Sequence, residues 1–145
     1  MEKEKEKEKN IIIKFVGEYL NNKIWNGKGY NIKSDLVFEI ENRKGKVIEY
    51  GNEGEIIFEG EYLNGERNGK GKEYYYNRKI IFEGEYLNGK IWNGKGYNKK
   101  GNLTFEIRNG NGKIIEYNNE RDIIFEGDVE FGKKINGKRI IKLKK

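Results

Sequence analysis

The side chains of this 145-residue chain that could do chemistry are almost all Lys, Arg, Glu and Asp, with 30 Lys+Arg, 24 Asp+Glu, no His and no Cys. Without imidazole or thiolate there can be no Cys/His zinc site, no Cys–His nucleophilic pair and no Ser–His–Asp triad. What remains is carboxylate and amine chemistry. Glu18, Glu61, Glu85 and Asp128 occupy one position of a recurring segment, and such a column could hold a cation or act as an acid and base. Its return from copy to copy argues instead for a structural place. Gly27-Lys28-Gly29, Gly69-Lys70-Gly71 and Gly94-Lys95-Gly96 look like phosphate loops, but no Ser or Thr follows the Lys and no helix is predicted behind it. Ser34 and Thr104 are the sole aliphatic hydroxyls, and neither has an adjacent base. Asn102-Leu103-Thr104 reads as a glycosylation acceptor that has no secretion signal to go with it. The chain is therefore expected to have no catalytic residue, no metal, no cofactor and no small-molecule substrate.

The elements that must position these residues follow from a repeat. Phe-Glu-Gly-Glu-Tyr-Leu-Asn-Gly begins at Phe58 and again at Phe82, a close relative begins at Phe15, a worn copy at Phe125, and divergent units at Phe38 and Phe105. Each of the first three unit starts recurs 67 residues later, so a three-unit block is duplicated. Twenty glycines and no proline point to many turns and bulges between β-branched and aromatic residues. Only 34% of residues are hydrophobic and the mean hydropathy is -1.00, poor provision for one thick core. The expected fold is all-β: an elongated, single-layer antiparallel sheet of about six stacked β-hairpins.

Within a unit, Phe-Glu-Gly-Glu-Tyr-Leu alternates as a strand should, and Asn-Gly is what a type I′ turn demands. A two-residue loop at Asn64-Gly65 predicts Tyr62 opposite Arg67, Gly60 opposite Gly69, Glu59 opposite Lys70 and Phe58 opposite Gly71. The Phe82 unit is one residue longer, which predicts a three-residue loop, Asn88-Gly89-Lys90, with Tyr86 opposite Trp92, Gly84 opposite Gly94 and Glu83 opposite Lys95. The same rule sets Glu39 against Lys46, Glu106 against Lys113 and Glu126 against Lys138, while Val16 faces Lys28. In the divergent units Ile40 and Ile107 face Gly45 and Gly112. Side chains alternate faces, so one face should carry Phe, Gly, Tyr and Trp and the other the charged rungs.

The motif Phe/Tyr-x-Gly-Glu-Tyr-x-Asn-Gly-Lys followed by Asn-Gly-Lys-Gly-x, best matched from Phe82 to Tyr97, resembles the MORN repeat, including its looser microbial and antitoxin-like variants. The likeness spans roughly Phe15 to Arg139. It implies a rod-like or gently curved stack of hairpins used for protein–protein contact, oligomerisation and scaffolding, and in some members phospholipid binding. The chain departs from that pattern in lacking a His after the hairpin and in its two short units.

Three regions are expected: residues 1–12 as a solvated Glu/Lys tail, 13–131 as the repeat domain, and 132–145 as a basic cap. Seven of the thirty bases lie in 132–145, leaving 23 against 24 acids elsewhere, so the net charge of +6 sits at one end. Lys-rich edge strands discourage edge-to-edge pairing. The alternative is an anionic membrane held by Lys138, Arg139, Lys142, Lys144 and Lys145, at about 1 kcal/mol per base. The near-neutral body argues against nucleic acid as a partner. A protein partner or a second copy is expected on the aromatic face, through Tyr19, Trp25, Tyr62, Tyr86 and Trp92; the same rings could equally close an intramolecular core. No apolar segment reaches membrane-spanning length and no signal peptide is evident, so the expected location is the cytoplasm, at a cytoskeletal or membrane surface if at any.

Overall fold

A computed structural model describes residues 12–118 and 120–141. Twelve antiparallel strands follow one another in chain order across a single sheet. They form six hairpins: β1 (Ile12–Leu20) with β2 (Lys23–Asn31), β3 (Leu36–Glu41) with β4 (Lys44–Tyr50), β5 (Ile56–Leu63) with β6 (Glu66–Tyr74), β7 (Ile80–Leu87) with β8 (Lys90–Tyr97), β9 (Leu103–Arg108) with β10 (Asn111–Tyr117), and β11 (Ile123–Glu130) with β12 (Lys133–Arg139). The expected all-β single layer of six hairpins is what the chain forms, and the described residues contain no helix. The basic segment at 133–139 is the return strand of the sixth hairpin.

Every hairpin closes with a two-residue turn whose residues both have positive φ, 47–52° at the first position and 63–84° at the second. That is the type I′ geometry whose twist matches the strands it joins. The three-residue loop expected at Asn88-Gly89-Lys90 is corrected here: Leu87 pairs with Lys90 across Asn88-Gly89. The extra residue is absorbed inside the ladder instead, between Glu85–Asn93 and Tyr86–Ile91. Trp92 is thus a bulge residue and Ile91, not Trp92, faces Tyr86. The first hairpin does the same with Trp25, pairing Tyr19 with Ile24. In the third hairpin Tyr62 faces Arg67 as expected, but the register then slips by two, so Gly60 faces Gly71, Glu59 faces Lys72 and Phe58 faces Glu73. The Glu61 carboxylate accepts the Lys70 amide at 2.6 Å and spans this wide bulge. A bulge satisfies the I′ turn and the Gly–Gly contact together, which a shift of loop length cannot.

The other expected rungs hold where the ladder is paired: Gly84–Gly94, Glu83–Lys95, Glu126–Lys138, Val16–Lys28, Ile40–Gly45 and Ile107–Gly112. The charged rows also run on between hairpins, where Lys28 meets Glu39 at 3.8 Å and Lys72 meets Glu83 at 3.6 Å. Such exposed pairs contribute about 0.2–1 kcal/mol each.

Hairpins are joined by five-residue turns of one design, 31–35, 51–55, 75–79, 98–102 and 118–122. In each, the first amide donates to the fifth carbonyl at 2.8–3.0 Å and the fourth amide donates to the first carbonyl at 2.9–3.1 Å. The fourth residue is left-handed in all five. Asn31, Asn98 and Asn118 reinforce the turn, each Oδ1 accepting the amides two and four residues on. A second set of asparagines stitches hairpin to hairpin: Asn26, Asn68, Asn93 and Asn111 accept the turn amides of Arg43, Asn88, Asn109 and Phe131 at 2.8–3.0 Å.

A flat sheet would hold the 51–55 and 118–122 turns, six strands apart, about 29 Å from each other. Instead Arg121 reaches Glu55 at 3.2 Å and Tyr75 stacks edge-on against Tyr117 at 5.5 Å. The sheet therefore coils, with its aromatic face on the inside. The core there runs from Phe58 to Val129, with Phe58, Phe82 and Ile107 fully buried, and a smaller cluster of Phe38, Ile40 and Val47 lies in the first half.

Candidate interaction surface

On the concave side, β4–β7 carry a charged and aromatic network. Arg67 donates to Glu49 at 2.8 and 3.2 Å and to Glu73 at 3.0 Å, and its guanidinium lies 4.1 Å over the Phe58 ring. The Tyr86 hydroxyl donates to the same Glu73 oxygen at 2.7 Å. Burial opposes the charge on Arg67, but the hydrogen bond to Glu49 and the charges of Glu73 and Glu49 outweigh it and hold the group protonated. Burial first, and then Glu73, pushes Tyr86 well above the usual phenol range; burial and Glu49 do the same to Tyr62.

The second half repeats this network with altered charge. Lys134 takes the place of Arg67, pairing with Glu116 and lying 4.8 Å over the Phe125 ring. Arg139 pairs with Phe125 across the ladder as Glu73 pairs with Phe58. A net negative cluster in the first half has thus become a net positive one in the second. An open cavity of about 560 Å³ lies between the two, lined among others by Arg67, Glu73, Tyr86, Lys134 and Arg139.

The aromatic candidates fall into three environments. Tyr86 is 4% exposed and Tyr62 half-buried against the core. Trp25 and Trp92 are half-buried at the turn edge: the Arg43 guanidinium covers Trp25 at 4.7 Å, and a Cβ at Gly110 would fall 2.7 Å from the Trp92 ring. These two sockets are equivalents across the duplication, one filled by an arginine and the other by bare backbone. Tyr19 is 61% exposed on the outermost strand. Of the basic candidates, Lys138 and Arg139 are exposed on β12, while Lys142, Lys144 and Lys145 lie outside the described residues, as does nearly all of the Glu/Lys tail.

Sequence reasoning named Tyr19 and the basic residues of the last strand, and missed the other exposed apolar side chains at the two terminal edges. Thirteen described large apolar side chains are exposed, and seven belong to the ends: Val16, Tyr19 and Leu20 at one, Phe131, Ile135, Ile140 and Ile141 at the other. The signal was available in the repeat itself, since the first and last strands of a stacked array lack the neighbour every inner strand has. No helix among the described residues is long and apolar enough to cross a membrane. No family model, curated protein or solved structure matches the chain.

Proposed function

We propose that this chain is a noncatalytic scaffold of MORN-like hairpins that holds a protein partner or a further copy of itself. The observation that carries the reading is the exposure of apolar side chains at the two terminal hairpins, whose strands β1 and β12 are the outermost among the described residues. Apolar side chains left exposed in number at a sheet's end mark interaction sites, and an unpaired strand edge offers main-chain hydrogen bonds to whatever adds to it. A stack of hairpins that recurs along one sheet also suits a scaffold, since it presents surface at a regular step. Affinity capture with the full chain tests this, run beside Tyr19→Ala, Trp25→Ala and Trp92→Ala variants checked for native circular dichroism. A stoichiometric partner lost from a folded variant supports the reading. A partner set indifferent to all three overturns it.

A second reading is favoured by β12, every residue of which is exposed and four of which are Lys or Arg. It is a peripheral anionic-membrane module using that strand and the bases after it. Co-sedimentation with anionic vesicles, lost on ending the chain at Phe131 and lost in raised salt, is its expected mark. Equal sedimentation with neutral vesicles would sink it.

A further inference from the structure

The two halves of the molecule are near copies in space as well as in sequence. Phe15 and Tyr19 meet edge-on at 5.1 Å, and Phe82 and Tyr86 at 5.5 Å. Phe15 stacks on Phe38 at 6.3 Å, and Phe82 on Phe105 at 6.1 Å. The halves join at β6 and β7, where Gly71 faces Gly84, Lys72 faces Glu83 and Glu73 faces Phe82. That junction is therefore a picture of how the end of one half receives the start of another.

At the junction four glycines lie side by side across four strands, Gly60, Gly71, Gly84 and Gly94. They make a floor on which rings rest: a Cβ on Gly71 would come within 2.6 Å of the Phe58 ring and 3.1 Å of the Tyr86 ring. At the two ends of the sheet this row is cut in half. Gly17 and Gly27 remain on β1 and β2, and Gly127 and Gly137 on β11 and β12. The cost of the cut falls on one ring, for Tyr86 is 4% exposed and its counterpart Tyr19 is 61% exposed.

We propose that a second copy of this chain restores the row, β12 of one copy pairing antiparallel with β1 of the next in the register of β6 and β7. Gly137 then lies opposite Gly17, Lys138 opposite Val16 and Arg139 opposite Phe15, and the run Gly127, Gly137, Gly17, Gly27 repeats the inner four. Tyr19 settles against the Phe125 ring as Tyr86 does against Phe58 at 5.3 Å. The inference rests on the scaffold reading and names its occupant.

The lysines of β12 do not oppose this. A basic edge strand deters indiscriminate pairing, but in this register Lys138 and Arg139 meet Val16 and Phe15, so neither base is set against another. Arg139 gains the ring of Phe15 beside it, and the tyrosine hydroxyl that donates to Glu73 in the inner junction can accept from an arginine instead. The contact is heterologous, joining one edge to the other, so copies add in series until the coil closes or the concentration runs out.

Because the chain has no cysteine, single cysteines report the register cleanly. Val16→Cys and Lys138→Cys are made in separate full-length chains and mixed under mild oxidation. Directly opposed strand residues sit about 4.5–5.5 Å apart at Cα, inside the range a disulfide spans. The expected product is the mixed 16–138 dimer, at least tenfold over either chain alone and over a Val16→Cys with Lys33→Cys control. Raised salt should leave it intact. Adding Tyr19→Lys to the first chain should abolish it while leaving the circular dichroism unchanged, since Tyr19 is exposed in the single chain. A cross-link no better than control, or predominance of 16–16 or 138–138 products, overturns the proposal. Partner capture that survives such a failure shows that the scaffold reading stands and this junction alone has fallen.

Discussion

Tyr86 shows how one residue changes meaning between the two halves. Its ring closes the core over Gly71 and its hydroxyl is held by Glu73, whereas Tyr19, the same residue 67 positions earlier, is exposed. Replacing Tyr86 by Phe keeps the ring and removes the bond to a charged acceptor, a loss of roughly 1.5–3 kcal/mol at neutral pH. The sign of the pH dependence follows from the raised phenol. In the unfolded chain Tyr86 ionises near pH 10, while in the folded chain burial and Glu73 keep it protonated to higher pH. Above pH 10 the unfolded state therefore binds fewer protons than the folded one, and stability falls as pH rises. The phenylalanine variant has no phenol to titrate, so the gap between the two chains should narrow from pH 8 to pH 11. Urea midpoints measured across that interval check it, and a constant gap would contradict the assigned environment.

At the scale of the element, turns carry the information that strands alone leave open. The type I′ turn at Asn64-Gly65 was legible from Asn-Gly between alternating strands. At Asn88-Gly89 it was read as a three-residue loop, and the Gly84–Gly94 rung still came out because that loop shifts the register by the one residue the bulge does. The bulges at Trp25, Trp92 and 68–70 were not legible. An added residue can lengthen a loop or enter the ladder, and the choice depends on contacts made with the next hairpin, such as Arg43 on Trp25. Half of the asparagine logic was hidden for the same reason, because Asn26 and Asn93 act on amides 17 and 16 residues away. Phe131 is the turn residue that fits least: it takes the first I′ position at φ 47° with its side chain 68% exposed. A left-handed conformation costs an ordinary L-residue about 1–2 kcal/mol, and Asn tolerates it better. Phe131→Asn should therefore stabilise the chain by about 0.5–1 kcal/mol, read as a higher denaturant midpoint at unchanged slope. No gain would mean that the Phe131 ring makes contacts worth as much as the strain.

The whole molecule is held by two kinds of contact that differ in reach. All strand pairing is between neighbours in the chain, so each hairpin can form locally and add to the last, and such arrays fold without paying long loop-closure entropy first. The coil is different. It brings together turns that no strand ladder joins, and Arg121 is the residue most committed to it. Its guanidinium pairs with Glu55 across 66 residues, its Nε donates to the Tyr74 carbonyl at 3.3 Å, and it lies 4.2 Å over the Tyr76 ring. Both members of the ion pair are buried, at 3% and 9% side-chain exposure. The position 67 residues before Arg121 is Gly54, so the repeat gave no warning of this tie, which joins the two halves through an arginine that only the second carries. Arg121→Ala leaves the Glu55 carboxylate buried without that partner, a loss of the order of 3–5 kcal/mol. Because the strand ladders do not depend on the pair, the sheet should survive while the coil relaxes. Small-angle scattering should then give a larger radius of gyration with the β-sheet circular dichroism retained. Glu55→Gln, which removes the charge and keeps the shape, should cost much less and recover part of the Arg121→Ala loss when the two are combined. A variant as compact and as stable as the native chain would show that the coil is fixed by the twist of the strands, and that Arg121 merely fills the space where two turns already meet.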